Sequence, residues 1–145
     1  MSNVDLVRAF FANAPADLVA AVADPAWIRQ TRDALEPLLT ADFEFVTVQQ
    51  SVGMPAAQRG VEGFFTAYRA YTETWESLAL VPERFVQVGD TVLVEATLAG
   101  VTITGGVRLE QAVAALYSFE NGRIKRIEEF SDLTSAYEAA GSSRA

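Results

Sequence analysis

Residues 107–131 read VRLEQAVAALYSFENGRIKRIEEFS, and this stretch decides the fold. In an extended chain side chains alternate, so Val107, Leu109, Gln111, Val113, Ala115, Tyr117 and Phe119 share one face. Asn121-Gly122 follows, the pair suited to a type I′ turn, which needs positive φ at both central positions. Arg123 to Ser131 then returns as the second strand of a hairpin. A regular ladder around that turn sets Phe119 opposite Ile124, Tyr117 opposite Arg126, Ala115 opposite Glu128 and Val113 opposite Phe130. This face has the larger apolar side chains and is expected to point inward. It would carry Tyr117, Arg126, Glu128 and, further along, Gln111 and Asp132. Arg126 and Glu128, two positions apart, can partner one another if buried. They suit a structural ion pair near the sheet end or a functional cluster in a pocket. A bulge would exchange the faces and bring Glu129 inward instead.

A second hairpin precedes the first. Leu78 to Val88 and Thr91 to Ala99 flank Gly89-Asp90, which sets Val88 opposite Thr91 and Arg84 opposite Glu95. Phe85, Val92, Val94, Ala96 and Leu98 form the apolar face toward the helices. Glu95 then points away, in an external ion pair with Arg84 rather than as a catalytic acid.

The N-terminal part reads as helices. Ser2-x-x-Asp5 has the form of a capping box, ahead of an apolar stripe of Val4, Val7, Phe10 and Phe11. Pro15-Ala16-Asp17 starts a short helix through Val22, and Asp24-Pro25 starts a third with Ile28, Leu35 and Leu38 inward. Pro37 kinks or ends it, having no amide hydrogen to donate. Phe43 to Val48 is a strand, 49–58 a loop, and Gly60 to Trp75 a fourth helix. The stripe of that helix is aromatic: Phe64, Phe65, Tyr68, Tyr71 and Trp75. It can be a core face and the wall of an apolar cavity at once.

Composition removes whole classes of chemistry. The chain has 145 residues, enough for one domain with a sizeable core. It contains no cysteine and no histidine, so thiol nucleophiles, thiolate or imidazole metal sites and Ser-His-Asp catalysis are excluded. Lys125 is the only lysine, and its neighbours Arg123 and Arg126 suit a surface strand better than a Schiff base. Neither a metal nor a cofactor is expected. A net charge of −8 argues against nucleic acid as a partner. No apolar run approaches the roughly 20 residues of a membrane helix, and no basic-then-apolar segment opens the chain. A cytoplasmic protein with no membrane partner is the expectation.

Several segments together resemble one superfamily. They are Arg59-Gly60-Val61-Glu62-Gly63-Phe64-Phe65, Trp75-Glu76-Ser77-Leu78, Pro82-Glu83-Arg84-Phe85 with Gly89-Asp90, and Asn121-Gly122-Arg123-Ile124. Glu128-Glu129-Phe130-Ser131-Asp132-Leu133 and Tyr137-Glu138-Ala139-Ala140-Gly141 complete the set. In this order and spacing they are similar to the nuclear transport factor 2-like, or SnoaL-like, superfamily, over nearly the whole chain. The resemblance implies an α+β cone of the cystatin-like kind, a curved antiparallel sheet wrapped around N-terminal helices. It implies residues 1–141 as a single SnoaL-like domain, with 142–145 a disordered tail. The superfamily holds ketosteroid isomerases, polyketide cyclases, epoxide hydrolases, dehydratases and members without known catalysis, so the fold alone does not select a function. An acid common in relatives falls at Ala115 here, and a histidine common in some falls near Ile127.

The functional expectation is a small-molecule-binding domain. It would be a cofactor-free isomerase, cyclase, dehydratase or epoxide hydrolase acting on an apolar substrate. Glu128 or Asp132 would serve as acid or base, Tyr117 as donor to an oxyanion, and Arg126 as the group tuning Glu128. Trp27, Phe43, Phe64, Tyr68, Tyr71, Gln111, Val113 and Phe130 would line the pocket. The alternative is a non-catalytic dimeric domain that binds a hydrophobic ligand or a partner. A carboxylate inside the pocket separates the two. Val46, Val48, Leu93, Leu116 and Ile127 on the outer sheet face would form an apolar patch, from which a homodimer through the sheet is expected.

Overall fold

The computed structural model describes residues 1–12, 14–47 and 57–142. The expected loop at 49–58 lies outside them except for Ala57 and Gln58, as do Val48 and, beyond Ser142, the expected tail. Three helices come first: α1 (Asn3–Phe11), α2 (Leu18–Val22) and α3 (Pro25–Leu35). Ser2 and Asp5 close the capping box, the Asp5 amide donating to Ser2 Oγ at 3.1 Å and the Ser2 amide to Asp5 Oδ2 at 3.0 Å. Asp17 caps α2 through the Val19 amide, and the same Oδ1 accepts from the Leu78 amide at 3.1 Å, which fastens the helix to the sheet. Asp24 caps α3 with Pro25 at its first position. Pro37 sits in a single 3₁₀ turn, Glu36–Leu38, that ends the helical region.

The sheet has six strands: β1 (Leu39–Val46), β2 (Ala57–Arg59), β3 (Trp75–Val88), β4 (Thr91–Thr102), β5 (Arg108–Glu120) and β6 (Arg123–Phe130). Helix α4 (Gly60–Thr72) links β2 to β3, and α5 (Leu133–Ala139) closes the chain. The spatial order is β2-β1-β6-β5-β4-β3. Strands β3 to β6 are antiparallel throughout, while β1 lies parallel to β6, so the curved sheet is mixed rather than wholly antiparallel. Helix α4 stops three residues short of Trp75, which pairs with Thr102 at the start of β3. Gly100 leaves room for that indole: an added Cβ would meet the ring at 2.8 Å and collide with the Ser77 carbonyl.

The β3–β4 register is as expected, with Val88 opposite Thr91 and Arg84 opposite Glu95. The Asn121-Gly122 turn also forms as expected, with φ of 52° and 75°. Beyond it the ladder departs from a regular hairpin. Phe119 still faces Ile124, but Ser118 faces Arg126, so Lys125 is an extra residue in β6. Every later pair is displaced by one: Tyr117 faces Ile127, Leu116 faces Glu128, Ala115 faces Glu129 and Ala114 faces Phe130. The physical reason is burial. Ile124 and Ile127 are both inside, at 0% and 1% exposure, and residues three apart share a strand face only across a bulge.

The main core lies between helices α1–α4 and the concave face, around Val7, Phe43, Phe45, Phe64, Phe65, Val92, Tyr117, Ile124 and Ile127. A second cluster occupies the opposite face, where Ala136 and Tyr137 of α5 cover Leu93, Ala114 and Leu116. This corrects the expected dimer patch. Leu93 and Leu116 are buried under α5, Ile127 points into the core, and Val46 is half-buried. Among the described residues no helix is long and apolar enough to cross a membrane.

Candidate functional site

A cavity opens between α4 and the concave face of β3–β6. Tyr68 and Tyr71 enter from α4, Leu78 and Leu80 from β3, Val94, Ala96 and Leu98 from β4, Val113, Ala115 and Tyr117 from β5, and Ile127 and Glu129 from β6. The lining is aliphatic and aromatic, and among its described residues Glu129 is the only carboxylate. Ala115, the place to which the resemblance assigns an acid, is the direct cross-strand neighbour of Glu129. The carboxylate is thus delivered to the same wall from the adjacent strand.

The electrostatics of Glu129 follow from where the bulge leaves it. Its Oε1 is buried and has no hydrogen-bond partner. Removal from water disfavours the ionised form and pushes its pKa up to about 7, against the opposing influence of a Tyr71 hydroxyl able to hydrogen-bond the carboxylate. The three tyrosines around it respond in the same sense. Burial raises the phenols of Tyr68, Tyr71 and Tyr117, and the negative charge of Glu129 raises them further. They remain neutral O–H donors over the working pH range. Tyr117 is held from the other side by edge-on contact with Phe10, ring centroids 5.7 Å apart. A poised carboxyl group, neutral phenols and apolar walls can move a proton and stabilise the charge left behind.

Of the four residues expected to carry chemistry, only Tyr117 lies in this cavity. Glu128 and Arg126 face outward, 3.8 Å apart, with side chains 34% and 44% exposed, and make the structural pair rather than the pocket cluster. Asp132 is the N-cap of α5. It accepts from the Ser135 amide at 2.7 Å and from the Ser135 hydroxyl at 2.9 Å, which lowers its pKa. Among the expected lining residues, Tyr68, Tyr71 and Val113 are in place. Phe130 borders the cavity but packs with the α5 cluster. Gln111 is exposed and donates to the Ser131 carbonyl at 3.0 Å, and Phe43 is wholly inside the core. Trp27 and Phe64 line a second cavity among the helices. The bulged alternative named from the sequence, with Glu129 inward, is the one the ladder adopts. The signal was present in the i, i+3 spacing of Ile124 and Ile127, which alternation cannot accommodate.

Glu95 has its expected partner on the outer face, Arg84 Nη1 at 3.5 Å from Oε2. It is nevertheless 6% exposed, because α5 lies over it and the Tyr137 hydroxyl donates to Oε2 at 2.6 Å.

The model of the SnoaL-like domain matches residues 18–127, more than half of the chain. The chain belongs to the SnoaL-like domain family. Solved structures extend this likeness over the whole fold. An NTF2-like protein of unknown function from Burkholderia pseudomallei is 19% identical, with 100% of both chains covered and a TM-score of 0.66. TerC, co-crystallised with polyporic acid, is 19% identical over 97% of this chain and 98% of its own, with a TM-score of 0.63. A putative SnoaL-like polyketide cyclase from Jannaschia is 20% identical over 91% of this chain and 98% of its own, with a TM-score of 0.57. At these identities the likeness establishes the SnoaL-like, cystatin-type α+β cone. No curated protein matches the sequence.

Proposed function

We propose that this SnoaL-like domain is a cofactor-independent enzyme that moves a proton within an apolar carbonyl compound. The observation that carries the reading is the Glu129 carboxyl group, buried in the cavity with Oε1 unpartnered. In its ionised form Glu129 takes a proton from the carbon next to the carbonyl. The electron pair of that C–H bond moves to the carbonyl oxygen, and the phenol O–H of Tyr117 or Tyr68 donates to the resulting oxyanion. The protonated Glu129 then returns the proton to another position of the same substrate, which makes the step an isomerisation. Where the carbanion instead attacks a second carbonyl of the same substrate, that carbonyl's π electrons move to its oxygen, the protonated Glu129 delivers its proton there, and the outcome is cyclisation. TerC, one structural neighbour, was co-crystallised with polyporic acid, a small organic molecule. Glu129 stands in the role expected of Glu128, Tyr71 in the tuning role expected of Arg126.

The test is hydrogen exchange. Cyclic β,γ-unsaturated ketones are incubated in D₂O with the protein and with Glu129→Gln, and deuterium at the α carbon is followed by NMR. Wild type should exchange above background, and the variant should be slower by roughly two to four orders of magnitude, the size of a general acid–base contribution. Ketones that bind with no exchange above background would reduce the domain to a non-catalytic binding module.

A further inference from the structure

The cavity around Glu129 is not isolated. A second one lies among α1, α3 and α4; its described lining is mostly aliphatic and aromatic, with the Thr31 hydroxyl, the Trp27 indole N–H and the shared Tyr68 as its polar groups. The two have Phe11, Leu18, Tyr68 and Leu80 in common. These four side chains thus border both spaces and stand where the two meet. Tyr68 is braced there against Phe64, ring centroids 4.2 Å apart and planes tilted by 35°. Leu18 and Leu80 are single aliphatic side chains that can change rotamer without moving backbone. The chambers differ in character. The first holds the carboxyl group and the phenols; among the described residues the second holds Trp27 and no ionisable group beyond the shared Tyr68.

We infer that the two chambers are one binding space, and that its ligand is an elongated amphiphile. A hydroxyl or enol head group sits at Glu129, and an alkyl or aryl tail passes between Leu18 and Leu80 to end beside Trp27. The inference rests on the reading of Glu129 as the polar end of the site and adds the length and polarity of the substrate. Tyr68 and Leu18 become the residues that set how long a tail is accepted, while Glu129 sets what stands at its head.

The probe is a series of 4-n-alkylphenols from ethyl to octyl, measured by calorimetry. Affinity for wild type should rise roughly three- to fourfold per methylene along the whole series, as expected for tail carbons leaving water. Ala34 lines the second chamber only. In Ala34→Trp the short members should bind as before, and the rise should stop where the tail reaches the junction of the two chambers. Glu129→Gln should weaken all members by one common factor and leave the slope unchanged. That arm alone failing would count against the role of Glu129 and leave the chambers standing. Trp27 supplies a readout that needs no plugged variant. In Trp75→Phe it is the remaining tryptophan, and its emission should shift with octylphenol and not with ethylphenol. A slope that ends at short chains in wild type, an Ala34→Trp protein that binds octylphenol unchanged, a silent Trp27, or no binding by any member would each overturn the inference.

Discussion

Glu129 and Ala115 are direct neighbours across the β5–β6 ladder, the carboxylate on one strand and the smallest branched-free side chain on the other. Ala115 lines the cavity beside the carboxyl group and leaves it space. Ala115→Leu should fill that space. We expect the affinity for short alkylphenols to fall at least about tenfold, from lost room at the head group, with overpacking costing roughly 1–3 kcal/mol of stability. Calorimetry and thermal melting measure the two effects separately. Unchanged affinity would place the head group elsewhere.

Glu129 also sets a pH dependence of stability. Its folded pKa, about 7, is above the ordinary 4.5. The folded protein therefore holds this proton more tightly than the unfolded chain does. The associated stabilisation is complete below about pH 4.5 and is lost as the pH rises through 7, with a total on the order of 3 kcal/mol. Glu129→Gln lacks the ionisation. It should melt like wild type near pH 4.5 and at a higher temperature at pH 8. A wild type that keeps pace with the variant from pH 4.5 to 8 would show that the carboxylate is solvated, and one that gains on it would show that the folded state stabilises the ionised form. Catalysis by the ionised form carries the opposite sign, kcat/KM rising with pH to a plateau above 7.

The helical caps, the β3–β4 register and the Asn121-Gly122 turn could all be read from local chemistry, because each depends on a few adjacent side chains. The site could not be read in the same way. Its position depends on one extra residue, Lys125, whose effect is to exchange Glu128 for Glu129 over the rest of β6. Alternation assigns faces correctly only while the ladder is regular. The α5 cluster was hidden for a different reason. Leu93 and Leu116 look like an exposed patch on a strand, and only the return of a distant helix, carrying Ala136 and Tyr137, covers them. The cone was implied by the resemblance of the segments' order and spacing to the superfamily, although the parallel β1–β6 contact was not.

The bulge makes a specific prediction about Lys125. Removing this residue joins two parts of the ladder that are already in register with β5, Phe119 with Ile124 and Ser118 with Arg126. Deleting Lys125 should leave the fold intact and keep Glu129 inside, at the cost of the surface contact between Lys125 Nζ and Glu120 Oε2. NMR titration of the ¹³C-labelled glutamate carboxyls should still show one group titrating near pH 7 in the deletion variant. If that signal returns to the ordinary range and the protein stays folded, Glu128 and Glu129 have exchanged places, and the bulge is what holds the site.

Tyr137 tests whether the two faces of the sheet act independently. Its hydroxyl donates at 2.6 Å to Glu95 Oε2, a carboxylate 6% exposed, and its ring covers Leu93 and Leu116. Tyr137→Phe keeps the ring and removes the donor. A hydrogen bond to a charged acceptor contributes roughly 1.5–3 kcal/mol, so the melting temperature should fall by several degrees. The amides of α5 should exchange faster, because this bond and the apolar contacts beneath it hold the helix on the sheet. Alkylphenol affinity should stay unchanged, since Glu95 points to the outer face and Glu129 to the cavity, on strands separated by β5. A matching loss of affinity would mean that α5 shapes the cavity through β5, whose Ala114 and Ala115 touch the outer cluster and the inner cavity in turn.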